Sequence, residues 1–388
     1  MNVLLQQVLK EYKFSCWLVL TREGSRDPLS SDLGLENVVG KAAGLYYFQN
    51  DRLEKLAVCA AYDIESIENS RLYDQVIAYK KEGIWTHLSK IMEDNDFKNI
   101  FLNYSRDIPL ADGISLGLFN LAKEKLPETY VQRFQSSEPI IVAFRSMFLA
   151  EEIEILEKNV KITQEIITDV LQPGVIKPGL TTEKDVAGLL AEKASSIQAR
   201  IPFCTVESGH SRGHSEPSDK IIQKGEILSI DFGITLNGYN SDIQRCAYIL
   251  NDKETVPPDY IENIFKTTRE ANQKAIAMMK PGVKAFEIDN IAREYITQAG
   301  YPEYLHASGH TLGREVHDAG PVLGPDWPEK YGTSVHYPLK QGMVFAVEPM
   351  IYEKVGNIVV HCGLEEDVVI EQNGARIIGD PQTKLILI

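Results

Sequence analysis

Cysteine is scarce and scattered in this chain. Its five cysteines, Cys16, Cys59, Cys204, Cys246 and Cys362, are odd in number and form no CxxC pair. That spacing excludes a disulfide framework and a zinc ribbon, and a reducing cytoplasm fits best. Positive charge is also in deficit: 40 Lys and Arg stand against 55 Asp and Glu, a net charge of −15. A surface of that sign repels a phosphate backbone, so nucleic acid is not an expected partner. Long apolar runs are missing too. No stretch approaches the ~20 residues of a membrane span, and no membrane partner is expected. The first twenty residues are broken by Lys10, Glu11 and Lys13, so they lack the apolar centre of a secretory signal. What remains is ordinary globular material: 44% hydrophobic residues in 388, enough at ~150 residues per domain for two or three packed cores.

Histidine is unevenly placed. Of eight, only His87 precedes position 200, whereas His210, His214, His306, His310, His317, His336 and His361 crowd the last half. Residues 1–150 alternate short β-branched and aromatic runs (CWLVL, AAGLYYF, LAVCAAY, IIVAF) with longer mixed segments, which reads as a small α/β domain. No phosphate loop, metal spacing or nucleophile motif lies within it. After Arg145 the pattern changes to a helix with Ile153, Leu156, Val160, Ile167, Val170 and Leu171 on one face, Thr163 as its polar interruption and Pro173-Gly174 as its stop. A second domain, 151–388, is expected to begin there.

The second domain repeats itself. Leu171-Gln-Pro-Gly-Val175, with a helix expected from about Thr182, recurs as Met279-Lys-Pro-Gly-Val283 with a helix expected from about Glu287. Gly225-Glu-Ile-Leu-Ser-Ile-Asp231 recurs as Gly342-Met-Val-Phe-Ala-Val-Glu348, in each case an apolar strand delivering a carboxylate. Two half-domains of helices and antiparallel strands would place Asp231 and Glu348 in equivalent positions.

An ionised side chain at the end of an apolar strand loses hydration and needs a partner. After Asp231 comes Asn237-Gly238, the strongest short hairpin signal. A two-residue turn there sets Leu236 opposite Tyr239 and Asp231 opposite Gln244, leaving Asp231 and Asp242 as diagonal neighbours on one face. Two carboxylates so placed repel unless a proton or a metal lies between them. Glu348 and Glu366 flank a second turn, Lys354-Val-Gly-Asn357, which could bring them together in the same way. Between the hairpins lie His306, His310 and His317; Gly309 and Gly313 argue against a helical zinc motif. One acid in a hairpin is ordinarily a turn residue, but four acids and a histidine spread across a repeat suit a pair of divalent ions of the manganese, cobalt, iron or zinc type.

Asp231, Asp242, His310, Glu348 and Glu366 together resemble the five-ligand dinuclear centre of the pita-bread metallopeptidases, the family of methionine aminopeptidase, aminopeptidase P and prolidase. Residues 151–388 carry the resemblance; residues 1–150 are similar, more distantly, to the N-terminal domain that aminopeptidase P and prolidase have and methionine aminopeptidase lacks. The resemblance implies an α/β N-terminal domain followed by an α+β, duplicated pita-bread domain of the creatinase and aminopeptidase type. It implies a cytoplasmic Xaa-Pro aminopeptidase or dipeptidase with two metal ions, manganese first, acting on peptides with proline second, and a homodimer. Asp242 and Glu366 become bridging carboxylates and Glu348 the proton shuttle. His214 and His317 bind the oxyanion and substrate backbone, and His306 and Tyr352, the latter in Glu348-Pro-Met-Ile-Tyr352, contact substrate.

Arg245 stands where the family has arginine after its second aspartate. Two features depart from the pattern. Where proline-directed members read Arg-Ile-Glu, this chain reads Leu364-Glu365-Glu366, and restoring an arginine at 364 is expected to strengthen catalysis. Pro321 to Lys340, with Trp327 and Pro328, is longer than the usual connection and is expected to shape the pocket. Two rivals remain: a small-molecule C–N hydrolase of the creatinase class, and a non-catalytic interaction module on the same fold. The complete ligand set speaks against a creatinase-like loss of metal and against the module.

Overall fold

The computed structural model describes residues 2–12, 14–213 and 215–388. The chain divides into two compact units, Met1–Phe144 and Arg145–Ile388. No described helix is long and apolar enough to cross a membrane.

The first unit is built on a six-stranded mixed sheet in the order Gln75–Tyr79, Arg52–Ala60, Lys41–Gln49, Cys16–Arg22, Ile100–Leu102, Phe134–Ser136. Its first three strands in sequence pair antiparallel, and the parallel pairs are joined through helices such as Ile84–Asn95 and Leu116–Lys125, as crossover geometry requires. Leu88, Ile91 and Met92 from one helix and Leu118 and Ala122 from the other pack with Leu18, Leu45, Val58 and Leu102. The α/β reading holds, with one change. Ile140–Phe144 is not a strand but part of the helix Glu138–Ser146, buried through all five residues. A short, wholly apolar run has no period to tell a buried helix from a buried strand.

The second unit is made of two similar halves. Ala150–Val170 and Glu183–Ser196 are the helices of the first half, and Asp259–Met278 and Ala285–Gln298 those of the second. The first helix buries Leu156, Val160, Ile166, Ile167 and Val170, each worth about 1.5–3 kcal/mol against exposure. Thr163, its polar interruption, donates to Asn159 O and shares a hydrogen bond of 2.7 Å with Ser241 Oγ, so its hydroxyl is satisfied within the core. The repeat is visible at the helix starts. Thr182 caps its helix reciprocally with Asp185, and Glu287 accepts from Lys284 N at 2.9 Å, which starts the second helix at Ala285, two residues before the sequence pattern does.

Two sheets lie between the helix pairs. One has the order Ile386–Leu387, Ile243–Tyr248, Ile227–Phe232, Cys204–Ser208; the other Val322–Leu323, Gly309–Thr311, Val344–Val347, Glu366–Glu371, Gly374–Ile377. A separate hairpin, Met350–Val355 with Ile358–Gly363, continues the ladder of the second sheet. The central strands are buried on both faces. Leu228 and Ile230 join the first half's core while Ile227 joins the second's, and Val344 and Phe345 divide the same way, which is why these strands read as near-continuous apolar runs.

Leu364 belongs to the second core, 1% exposed and clustered with Ile351, Cys362 and Val368. It does not line the cavity of this unit but is buried in that core, between the strands Ile358–Gly363 and Glu366–Glu371, which speaks against the expectation that arginine at 364 would restore a missing charge. Leu364→Arg would bury a guanidinium among aliphatic side chains. It is expected to destabilise the protein by ~3 kcal/mol or more in urea unfolding, with no gain in turnover. A variant as stable as the parent would contradict this placement.

Candidate metal centre

Asn237 and Gly238 have φ of 54° and 82°, the left-handed pair of a two-residue hairpin turn. The register follows: Tyr239 pairs with Leu236, Ile243 with Phe232 and Gln244 with Asp231. Asp231 and Asp242 therefore project from one face, into a cavity of about 720 Å3 within the second unit. Asp242 is held from its backbone, its N–H donating to Asp367 Oδ2 at 3.0 Å.

The second hairpin turns at Gly356-Asn357, Val355 pairing with Ile358, Tyr352 with His361 and Met350 with Gly363. Farther along the same ladder Val347 pairs with Glu366. In this register Glu348 stands opposite Glu365, and Glu366 shares the other face with Val347. A shift of one residue exchanges the faces of a strand. Glu365 accordingly lines the cavity with Glu348, while Glu366 does not. Glu366 Oε2 accepts from Arg245 Nη2 at 3.0 Å and its Oε1 from Gln382 N at 2.9 Å. The structure thus departs from the expected grouping at Glu366: Arg245 and Gln382 occupy its carboxylate, and the adjacent glutamate takes its place in the cavity. Gly363 makes this packing possible, since a Cβ there would lie 2.0 Å from Gln244 Oε1. Counting back from Gly356-Asn357 as a two-residue turn is the sequence signal that points to Glu365.

Asp242, His310 and Glu365 each offer a ligand atom within 4.8 Å of the others. His310 Nε2 lies 3.5 Å from Asp242 Oδ2 and 3.9 Å from Glu348 Oε1, and its Nδ1 is 3.2 Å from Thr311 O. With Nδ1–H donating to that carbonyl, the Nε2 lone pair faces the acids. Asp231 Oδ1 and Asp242 Oδ1 are buried and accept no hydrogen bond. Buried acceptors left open beside a neutral imidazole are the donor set that a divalent cation completes.

His317 lines the same cavity, its ring 4.2 Å from that of His310. The segment carrying it is fixed by Asp318, whose carboxylate takes two hydrogen bonds from Arg145 (2.7 and 3.0 Å) and further ones from the N–H groups of Arg314, Glu315 and Ala319. His306 and Tyr352 also line the cavity, with ring centroids 6.0 Å apart. Arg293, paired with Asp289, donates to His306 O, and Asp289 accepts from Ser308, so a buried ion pair shapes the approach to His310. His214 lies outside the described residues. From the long Pro321–Lys340 connection, Val322 and Tyr331 reach the cavity wall and Trp327 stacks on Tyr331. Sequence reasoning missed Glu365, Glu207 and His361, which also line the cavity.

Burial dominates the acid–base behaviour of the site. It raises the Asp231 carboxyl to about 7; burial and then the charge of Asp231 raise Glu348 to about 8, and Asp242 and Glu365 are held well above their usual range for the same reasons. Burial, then the neighbouring His317, lowers His310 to about 3, so it is neutral at pH 7. The metal-free acids therefore bind protons in the fold that they would release when unfolded, and stability is lost as pH rises through their folded pKa values. His310 acts in the opposite sense only below its unfolded pKa near 6.5. Between pH 6.5 and 8 the melting temperature of chelator-treated protein is thus expected to fall, and saturating divalent metal to abolish the fall. Thermal melts in which the metal-free protein is equally or more stable at pH 8 would refute this.

Residues 154–372 match metallopeptidase family M24. Over 358 residues, 90% of this chain and 94% of the relative, the sequence is 29% identical to a Xaa-Pro dipeptidase of Pyrococcus furiosus. The solved structure of an X-Pro aminopeptidase from Thermotoga maritima aligns with a TM-score of 0.72 at 25% identity, covering 98% of this chain and 100% of that one. A prolidase from Pyrococcus horikoshii shares the fold with a TM-score of 0.70 at 23% identity, covering 98% of each chain. The family match spans more than half of the sequence and coincides with the duplicated unit that holds the carboxylate–histidine cluster: the chain belongs to metallopeptidase family M24 and has its pita-bread fold.

Proposed function

We propose that this protein is a metal-dependent Xaa-Pro peptidase, hydrolysing the bond between an N-terminal residue and a following proline. The observation that carries the reading is the convergence of Asp231, Asp242, His310, Glu348 and Glu365 on one cavity, in a chain whose relatives across 90% of its length include a Xaa-Pro dipeptidase. Those five residues are the ligands of two divalent ions, with Glu365 in the role that the resemblance gave to Glu366. Manganese suits so oxygen-rich a set, with cobalt, zinc and iron as alternatives. The ions supply Lewis acidity toward the scissile carbonyl and acidify water at neutral pH.

The remaining chemistry belongs to side chains. Glu348, on the cavity wall 3.9 Å from His310 Nε2, carries the proton from the attacking water to the leaving prolyl nitrogen. His317, beside His310, donates to the oxygen that becomes negative, and His214 shares the contacts to the substrate backbone. Tyr352, kept protonated by a pKa raised to about 12, is a hydrogen-bond donor at the substrate, with His306 beside it. The first unit is the creatinase/prolidase-like N-terminal domain, and the assembly is a cytoplasmic homodimer. Neither the small-molecule hydrolase nor the non-catalytic module is favoured, since the acid–imidazole cluster is complete.

The substrate test is a panel of Xaa-Pro dipeptides, Xaa-Pro-Yaa tripeptides and their Xaa-Ala counterparts with manganese-loaded enzyme. A site shaped to the tertiary prolyl amide is expected to favour proline by roughly tenfold or more in kcat/KM, about 1.4 kcal/mol. Equal cleavage of the alanine series, or no cleavage by fully metallated protein, would overturn the reading. The ligand assignment is tested separately. Glu365→Gln should lose at least one ion by elemental analysis, whereas Glu366→Gln should keep both ions and instead lose stability, by roughly 3 kcal/mol, because Arg245 is left unpaired in the core. The reverse pattern would return the role to Glu366.

A further inference from the structure

Beyond the carboxylate cluster, the first sheet carries a second set of polar groups on the same face. Thr205 pairs with Asp231, and Asp231 with Gln244; one row along, Glu207 pairs with Ser229. Because side chains two apart share a face, Glu207 stands about 7 Å along the strand direction from the row of Asp231, and all of these residues line the cavity.

Glu207 is 3% exposed, and its hydrogen bonds hold it in place without neutralising it. Its Oε1 accepts from Arg212 N at 2.7 Å, and its Oε2 lies 3.4 Å from Ser211 Oγ and 3.4 Å from His361 Nε2. The guanidinium of Arg212 is turned to Glu183, at 2.6 and 3.2 Å. His361 is no counter-charge, since burial, then the charge of Arg212, lowers its pKa to about 4. Burial raises the Glu207 carboxyl above its usual range; the hydrogen bond from Arg212 N and the charge of Arg212, shared with Glu183, offset that rise only in part. Among the described residues that line the cavity there is no lysine or arginine. A buried carboxylate at the wall of a substrate cavity, fixed by neutral donors, is set to receive a cation from outside.

We propose that Glu207 is a specificity-determining residue that accepts the positively charged side chain of the substrate's N-terminal residue, selecting Lys-Pro and Arg-Pro over neutral Xaa-Pro sequences. The inference rests on the Xaa-Pro reading above. Three features favour the N-terminal side chain as the occupant. A dipeptide's other end is a carboxylate, which Glu207 would repel. The α-ammonium group is only two bonds from the scissile carbonyl carbon, too short a reach for the roughly 7 Å between the row of Asp231 and that of Glu207. A lysine or arginine side chain has the length to bridge the interval between the row of Asp231 and that of Glu207.

The experiment compares Lys-Pro with norleucine-Pro, its uncharged analogue, in the metal-loaded wild-type enzyme and in Glu207→Gln. Both kcat/KM and calorimetric binding are measured. The wild type is expected to favour Lys-Pro by roughly tenfold in both, and Glu207→Gln to bring the ratio near one. Equal treatment of the two peptides by the wild type overturns the proposal without any variant. A loss shared equally by both peptides in Glu207→Gln also overturns it, marking a structural role through Arg212 N or a contact with the α-ammonium group. A charge preference that appears only between Ala-Pro-Lys and Ala-Pro-norleucine overturns the assignment to the N-terminal residue. Charge-selective binding without turnover would support the subsite and sink the peptidase reading, whereas turnover without charge selection would do the opposite.

Discussion

The mutual repulsion of carboxylates in a cavity that cannot hydrate them is the constraint around which the second unit is organised. At an effective dielectric of ~20, two unit charges ~4 Å apart cost about 4 kcal/mol, and Asp242 feels the charges of Asp231, Asp367 and Glu348 together. Among the described residues, no lysine or arginine lines the cavity to relieve this. Three arginines are committed elsewhere: Arg245 to Glu366, Arg145 to Asp318 and Arg293 to Asp289. Each of those pairs is buried and positions backbone around the cavity, leaving the acids inside open to an external cation. A site so poised has a fold that is less stable without its ions than with them, because binding repays the desolvation of the ligands.

Strand parity decides which acids take part. Both hairpins turn on two residues, so every pairing follows from the turn by counting, and that count was legible for Asn237-Gly238, where Asp231 opposite Gln244 is found as expected. At the second hairpin the same arithmetic places Glu365 on the face of Glu348, but a three-residue turn, Val355-Gly-Asn357, serves equally well by composition and would put Glu366 there instead. With adjacent glutamates at 365 and 366, composition cannot choose between them; only the ladder can. The family pattern pointed to Glu366, and the structure gives that residue to Arg245. Leu364 follows from the same parity, since a residue next to an inward glutamate must face the core.

Other features were legible for plain reasons. The duplicated proline–glycine stops and strand carboxylates survive as two helix pairs around two sheets, because each copy must bury the same kind of face. What stayed hidden depends on distant partners. Ile140–Phe144 has no periodicity to identify it as helical, and Glu207 lies in the interior of a strand whose pattern reveals nothing of His361, more than a hundred residues away. Asp318 likewise looks like an ordinary loop acid until Arg145 is found beside it.

Duplication explains a division of labour between the halves. Each copy contributes one strand-end carboxylate, Asp231 or Glu348, so the shared centre inherits a near symmetry, and a change in either half disturbs both. The surrounding wall carries no such restraint. The first half presents Thr205, Glu207 and Ser229 beside its acids, whereas the second presents His310, with His317 and Tyr331 from its connecting segments. The histidines His310 and His317 stand beside the acids, and Glu207 and Ser229 stand one row away, along the extended strand. The acids are therefore gathered at the junction of the repeats, and the cavity wall formed by Cys204–Ser208 can vary without moving Asp231 or Glu348. Among the described residues that strand pairs only with Ile227–Phe232 and forms the edge of its sheet, so substitutions on its cavity face are not constrained by a second neighbouring strand.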